Sequence, residues 1–128
     1  MKSLRACLGL PATNFQMHQA LLQGLPVSLV ADLAKALNLH RSLIAKWVKT
    51  SFRHRTMSVQ ASETFYRLVE TLDALIELHE GNIEEALRWL TSPVQTLARQ
   101  RPVDLITTEP GRQAVMQVIH AIEYGLPA

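Results

Sequence analysis

The side chains able to carry chemistry in this 128-residue chain are five histidines, one cysteine and a scatter of carboxylates. His18, His40, His54, His79 and His120 stand far apart, and none has another histidine or a cysteine three or four residues away. That spacing would set two metal donors on one helical face, so a metal site has no local support. Cys7 lies far from every histidine, which leaves neither a thiol–imidazole pair nor an intramolecular disulfide, and suits a reducing cytoplasm. Glu84-Glu85, Asp104 and Glu109 are placed where helices start, positions that favour negative charge, rather than as an acid–base pair. There is no glycine-rich phosphate loop. No catalytic residue, cofactor or metal is expected.

What the charge pattern offers instead is affinity for other macromolecules. Between Leu33 and Ser62 stand six basic residues (Lys35, Arg41, Lys46, Lys49, Arg53, Arg55) and no acidic one, whereas Glu63 to Ala128 holds five basic and ten acidic residues. The formal net charge of +2 averages these two regions. A basic middle suits a polyanion, and an acidic end suits a different, protein partner.

The elements that must position the basic residues follow from apolar spacing. Leu29, Val30, Leu33, Ala34 and Leu37 line one side of a helix predicted over Val27 to Leu37, with Ala34 small enough for a second helix to cross closely. Asn38 then takes the left-handed position that ends a helix, Leu39 is the buried turn residue, and His40 caps a second helix over Arg41 to Lys49. This is a helix-turn-helix pattern. On its second helix Leu43, Ile44, Trp47 and Val48 are expected to pack, leaving Arg41, Ser42, Ala45, Lys46 and Lys49 outward. Such a helix reads base edges with its N-terminal residues, so Arg41 and Ser42 are candidates for base contact and Lys46 and Lys49 for phosphate. Arg53 and Arg55 extend the basic run as a backbone clamp. If five or six of these touch phosphate, log affinity should fall against log salt with a slope near about −5. A merely solvated face is the other reading of these charges.

Other elements frame this unit. Thr13 caps a predicted helix over Asn14 to Gln23, suited to packing or dimer contact, and Ser58 caps a longer one over Val59 to Glu80, ended by Gly81. The start, Met1 to Leu10, resembles a signal segment only faintly because it lacks an apolar centre, and no apolar run is long enough to span a membrane.

In the last third, Asn82 followed by Glu85 reads as a capping box that opens a helix carrying Ala86-Leu87-Arg88-Trp89-Leu90 and ending before Pro93, with Trp89 as a core residue. Pro102 suits the first position of a short helix through Ile106. Thr108 caps a final one on which Ala114, Val115, Val118, Ile119 and Ile122 recur at helical spacing. Gly125 takes the left-handed position after it and Pro127 prevents resumption.

These pieces (Ala86 to Leu90, Pro102 to Ile106, Thr108-Glu109-Pro110-Gly111, Ile122 to Ala128), in this order and at these separations, resemble the toxin-binding domain of the Xre/MbcA/ParS antitoxins. The family's Ser-x-x-x-x-Arg arrangement is matched by Ser62 to Arg67. One departure stands out: after the leucine matched by Leu97 the family usually has two glycines, where this chain has Ala98-Arg99. The resemblance implies an all-α fold, with an Xre-like helix-turn-helix region in residues 1–58, a connecting helix in 59–81 and a toxin-binding domain in 82–128. It implies a toxin partner, of RES type and acting on NAD, occluded by Glu123, Tyr124, Gly125, Leu126, Pro127 and Ala128, with Arg112 also facing the toxin. Operator DNA read by a homodimer, to repress the chain's own operon, completes the expectation. A stand-alone regulator whose C-terminal domain only dimerises is the main rival, and a protein-binding adaptor without DNA affinity the second.

Overall fold

Every described helix except the short one that starts at Pro102 begins or ends where a specific side chain or a left-handed residue satisfies the backbone. The structure, a computed structural model, describes residues 2–126. Helices α1 (Leu4–Cys7), α2 (Asn14–Gln23), α3 (Ser28–Leu37), α4 (Arg41–Val48), α5 (Val59–Leu78), α6 (Ile83–Leu90), α7 (Pro102–Leu105) and α8 (Glu109–Glu123) follow one another, with a 3-10 turn at Gln95–Leu97. The described residues contain no strand, so the fold is all-α, and none of their helices is long and apolar enough to cross a membrane. The chain divides into two units, Met1–Tyr66 and Arg67–Ala128, the boundary falling within α5.

In the first unit α3 packs on α4, and Val30, Leu33, Ala34, Leu37, Ile44, Ala45 and Val48 are buried between and around them. Asn38 ends α3 with φ 57° and ψ 45°, and the amides of Asn38 and Leu39 donate to the carbonyls of Lys35 and Ala34, the paired bonds of a Schellman cap. Leu39, expected to be buried, is only half so. Further residues complete this unit in ways periodicity did not announce. Ser3 caps the short α1, whose Leu4 is buried together with the following Leu10. Beyond α4 the chain returns to the start of α3: the Val27 amide donates to the Arg55 carbonyl and the Met57 amide to the Leu25 carbonyl, both at 2.8 Å. Ser62, fully buried on α5, accepts from the Leu25 amide at 2.8 Å. Gly24, with φ 89°, lies against the Met57 carbonyl where a Cβ would have no room.

In the second unit Leu68, Val69, Leu72, Leu75, Ala86, Leu90, Val103, Ile106, Val115 and Ile119 make the core. Asn82 Oδ1 accepts from the Glu85 amide at 3.1 Å and starts α6 as its sequence implies. Trp89 is half-buried rather than central; the fully buried positions of α6 are Ala86 and Leu90. α5 stops at Leu78, before the Glu80 that spacing suggested, because Glu80 itself turns left-handed (φ 55°) ahead of Gly81.

Leu97 to Gln100 form a tight turn closed by the Gln100 amide on the Leu97 carbonyl at 3.0 Å, with Ala98 at φ 56° and Arg99 at φ 61°. Two successive positive φ angles define a type I′ turn, which glycine and asparagine favour. A left-handed non-glycine residue costs roughly 1–2 kcal/mol, against about 0.5–1 kcal/mol of extra chain entropy for glycine. Replacing Ala98 or Arg99 by Gly should therefore raise stability by about 0.5–1 kcal/mol each. Thermal melts by circular dichroism would read this as a gain of a few degrees, and a lower melting point would show that the turn depends on the side chains it has.

Candidate functional site

Two surfaces gather the residues that the sequence singles out, one in each unit. The first is built on α4. His40 starts the helix with Nδ1 accepting from the Ser42 amide at 3.1 Å, and the same nitrogen lies 2.7 Å from the Ser42 hydroxyl. A residue that ranks low as a cap thus performs the task with its ring, and engages Ser42 in doing so. Arg41 sets its guanidinium carbon 4.6 Å from the centre of the Phe52 ring, a cation–π contact. Lys46, Lys49, Arg53, His54 and Arg55 are exposed, and Lys49 holds the left-handed cap of α4 at φ 59°. The bonds from Val27 and Met57 fix the backbone on either side of Thr56, so Arg55 is carried on a tied segment.

Two residues of α4 face opposite to expectation: Leu43 is 37% exposed and Ala45 is buried. The helix has five apolar residues among its eight, so more than one side could pack. Choosing the side with Ala45 lets α3 approach closely, and Leu43 is left outside as a result.

The second surface is the end of α8. Its beginning is held firmly. Thr108 caps it through the Gly111 amide at 3.1 Å. Glu109 is gripped by Arg112, Nε to Oε1 at 2.9 Å and Nη2 to Oε2 at 2.7 Å. Arg67, on α5, approaches the same carboxylate at 3.5 Å and donates to the Thr107 carbonyl at 3.3 Å. Arg112 is therefore engaged within its own helix in this structure. The hydrogen bond from Arg112 outweighs the upward push of burial and, with the charges of Arg112 and Arg67 adding to it, holds the Glu109 carboxyl below its ordinary value of 4.5.

A carboxylate depressed in the folded state stabilises above its unfolded pKa and loses that contribution as pH falls through the folded value. Unit 2 should thus weaken below about pH 4.5, and Glu109→Gln should remove part of that acid sensitivity. With Glu109 side chain 46% exposed, the neutral-pH cost of the substitution is about 0.5–1 kcal/mol. Urea unfolding at a series of pH values checks both; equal acid slopes in the two proteins would take Glu109 out of the account.

The other end of α8 is open. Ile122 is 40%, Tyr124 72% and Leu126 60% exposed, and Glu123 and Gly125 are exposed with them. The His120 and Tyr124 rings meet edge to face at 6.5 Å. Gly125 (φ 68°) reverses the chain: its amide donates to Ile122 and that of Leu126 to Ala121 at 2.7 Å, a second Schellman cap. Ile122, placed on the packed stripe by spacing, is thereby part of the exposed apolar end. Pro127 and Ala128, also named from the sequence, lie outside the described residues. Among the described residues no three histidines, cysteines or carboxylates gather as a metal site.

Phe52 and Leu43 escaped sequence reasoning. The signal for Phe52 was an aromatic directly beside Arg53 at the end of the basic run. Ser62 and Arg67 were noted as a pair, yet each tethers a distant segment of its own unit, Leu25 in one and Thr107 in the other.

The family match falls in the second unit. Residues 68–125 match the family described as Antitoxin Xre/MbcA/ParS C-terminal toxin-binding domain. The chain is similar to an Antitoxin Xre of Yersinia enterocolitica, 31% identical over 67 residues, which are 52% of this chain and 45% of that protein. It is also similar to an Antitoxin Xre of Photorhabdus laumondii, 24% identical over an alignment of 128 residues covering 93% of this chain and 86% of that one. The chain thus spans less than half of the Yersinia relative and most of the Photorhabdus relative.

Proposed function

We propose that this chain, whose residues 68–125 match the Xre/MbcA/ParS C-terminal toxin-binding domain, is the antitoxin of a bacterial toxin–antitoxin pair. It inhibits its toxin by lodging the end of α8 in the toxin's active-site pocket, and itself catalyses nothing. The observation that carries this reading is the row Ile122, Tyr124 and Leu126, three large apolar residues left in water at the very end of the matched stretch, Leu126 standing one residue past it. Contiguous apolar exposure of this kind marks an interface, and tyrosine supplies contact area at little entropic cost.

The toxin is of the RES type and acts on NAD, so that the tail, together with Arg112, Glu123, Gly125, Pro127 and Ala128, blocks entry to a pocket built for a dinucleotide. The first unit represses the operon: a cytoplasmic homodimer sets two copies of α4 in successive major grooves, with Arg41, Ser42, Lys46, Lys49, Arg53 and Arg55 on the DNA. The dense positive charge of Leu33 to Ser62 supports this part.

The test is co-expression with the product of the neighbouring gene, tagging only this chain. A stoichiometric partner that kills when expressed alone is the expected result. A harmless neighbour that does not co-purify would overturn the antitoxin reading in favour of a stand-alone regulator whose exposed C-terminal end joins two copies of the chain.

A further inference from the structure

The outward side of α4 carries an exposed leucine where a DNA-reading helix was expected to be polar throughout. At about 100° per residue, Ser42, Leu43 and Lys46 share an arc of roughly 100° opposite the buried Ile44, Ala45 and Val48. Arg41 falls outside that arc, roughly 140° from Lys46, with its guanidinium stacked on Phe52. The Ser42 hydroxyl, 2.7 Å from His40 Nδ1, is turned back to the cap. What the arc presents is one leucine side chain beside the Lys46 ammonium.

We propose that Leu43 is the base-reading residue of this surface, that it recognises the C5 methyl of a thymine in the major groove, and that Arg41, steadied by Phe52, contacts the sugar–phosphate backbone. This rests on the DNA-binding reading above. The thymine methyl is the apolar feature that base edges offer in that groove, and burying it against an exposed leucine removes both from water. The occupant is nucleic acid because the surrounding thirty residues carry six positive charges and no negative one. A protein docking on Leu43 would need an unusually acidic rim. Arg41 suits the backbone because its stacked guanidinium lies beside Phe52 and the segment that carries Arg53 and Arg55, away from the groove-facing arc.

The experiment uses the full chain. A preferred duplex is selected from a random pool, and its thymines are then replaced singly by deoxyuridine, which removes the methyl and leaves every hydrogen-bonding group in place. At one position per half-site the replacement should weaken binding about fourfold, the worth of one buried methyl, and should have no effect on Leu43→Ala. The salt slope of Leu43→Ala should match the wild type. Arg41→Ala should weaken binding to all duplexes alike and flatten the slope by about 1. If Leu43→Ala folds poorly, Leu43→Gln replaces it and should move the preference at that position toward adenine.

Salt-dependent binding with no deoxyuridine effect at any position would overturn the proposal and leave DNA binding standing. So would a methyl effect that survives in Leu43→Ala, or a single-base preference abolished by Arg41→Ala. Absence of salt-dependent binding to any duplex would overturn DNA binding itself, and the proposal with it.

Discussion

Tyr124→Ala is expected to leave the fold intact and to cost the protein most of its hold on the toxin. The side chain is 72% exposed and meets only the edge of His120, so folding stability should move by no more than about 0.5 kcal/mol. At the centre of an interface, truncating a tyrosine costs about 2 kcal/mol or more, which is roughly a thirtyfold rise in Kd. Titration calorimetry against the purified toxin, beside thermal melts of the free variant, separates the two effects. A chain ending at Ile122 goes further. It removes Tyr124 and Leu126 together, and also the two amides that close α8, so a small loss of stability should accompany complete loss of protection in cells. If that shortened chain still protects as well as the full one, the tail is not the inhibitor.

The second large effect is expected at Gly111. A Cβ there would fall on the carbonyl oxygen of Leu105, with the carbonyl carbon at 2.9 Å and Thr108 Oγ1 at 3.1 Å. Backbone cannot swing aside as a side chain can, so α7 and α8 would have to part, and the buried Val103 and Val115 lie on these two helices, with the buried Ile106 just after the first. Gly111→Ala should cost about 3 kcal/mol or more, the upper range for overpacking, whereas Pro110→Ala, at an exposed first-turn position, should cost far less. Urea midpoints decide this. A Gly111→Ala midpoint equal to the wild type would mean that the corner between α7 and α8 yields easily.

The contrast between these positions shows what was legible in the sequence. Helix ends were: Thr13, Ser58, Asn82 and Thr108 each cap the helix that their residue type announces. Asn38 and His40 likewise adopt the left-handed cap and the helix-starting cap expected of them, the latter through a ring nitrogen. Local rules suffice because each involves residues at most five apart. The Thr108-Glu109-Pro110-Gly111 motif was visible as well, but the reason for its glycine was not. Gly111 is required by what stands beside it, a carbonyl six residues back, and not by its own backbone angles.

The orientation of α4 was the least legible. Leu43 and Ala45 are two residues apart on a helix whose apolar residues cover roughly 200° of its circumference, and periodicity cannot rank the two edges of so wide a stripe. The crossing with α3 ranks them, through the small side chain of Ala45. Glu109 illustrates the same limit by distance: Arg112 is three residues away and could be guessed, whereas Arg67 comes from α5 and could not. The open end of α8 was readable because Gly125 and Pro127 announce a stop. How far Ile122 would stand in water was not.

The cap at Gly125 bears on how fast the complex can form. An unstructured tail would have to give up roughly 1–2 kcal/mol of backbone freedom per residue at the moment of docking, and much of its encounter with the toxin would be spent searching. Here the Leu126 amide is already tied to the Ala121 carbonyl, so in the proposed docking the backbone that carries Tyr124 and Leu126 is set before the toxin is met. Capture of newly made toxin would then be governed by diffusion and charge steering more than by any folding step.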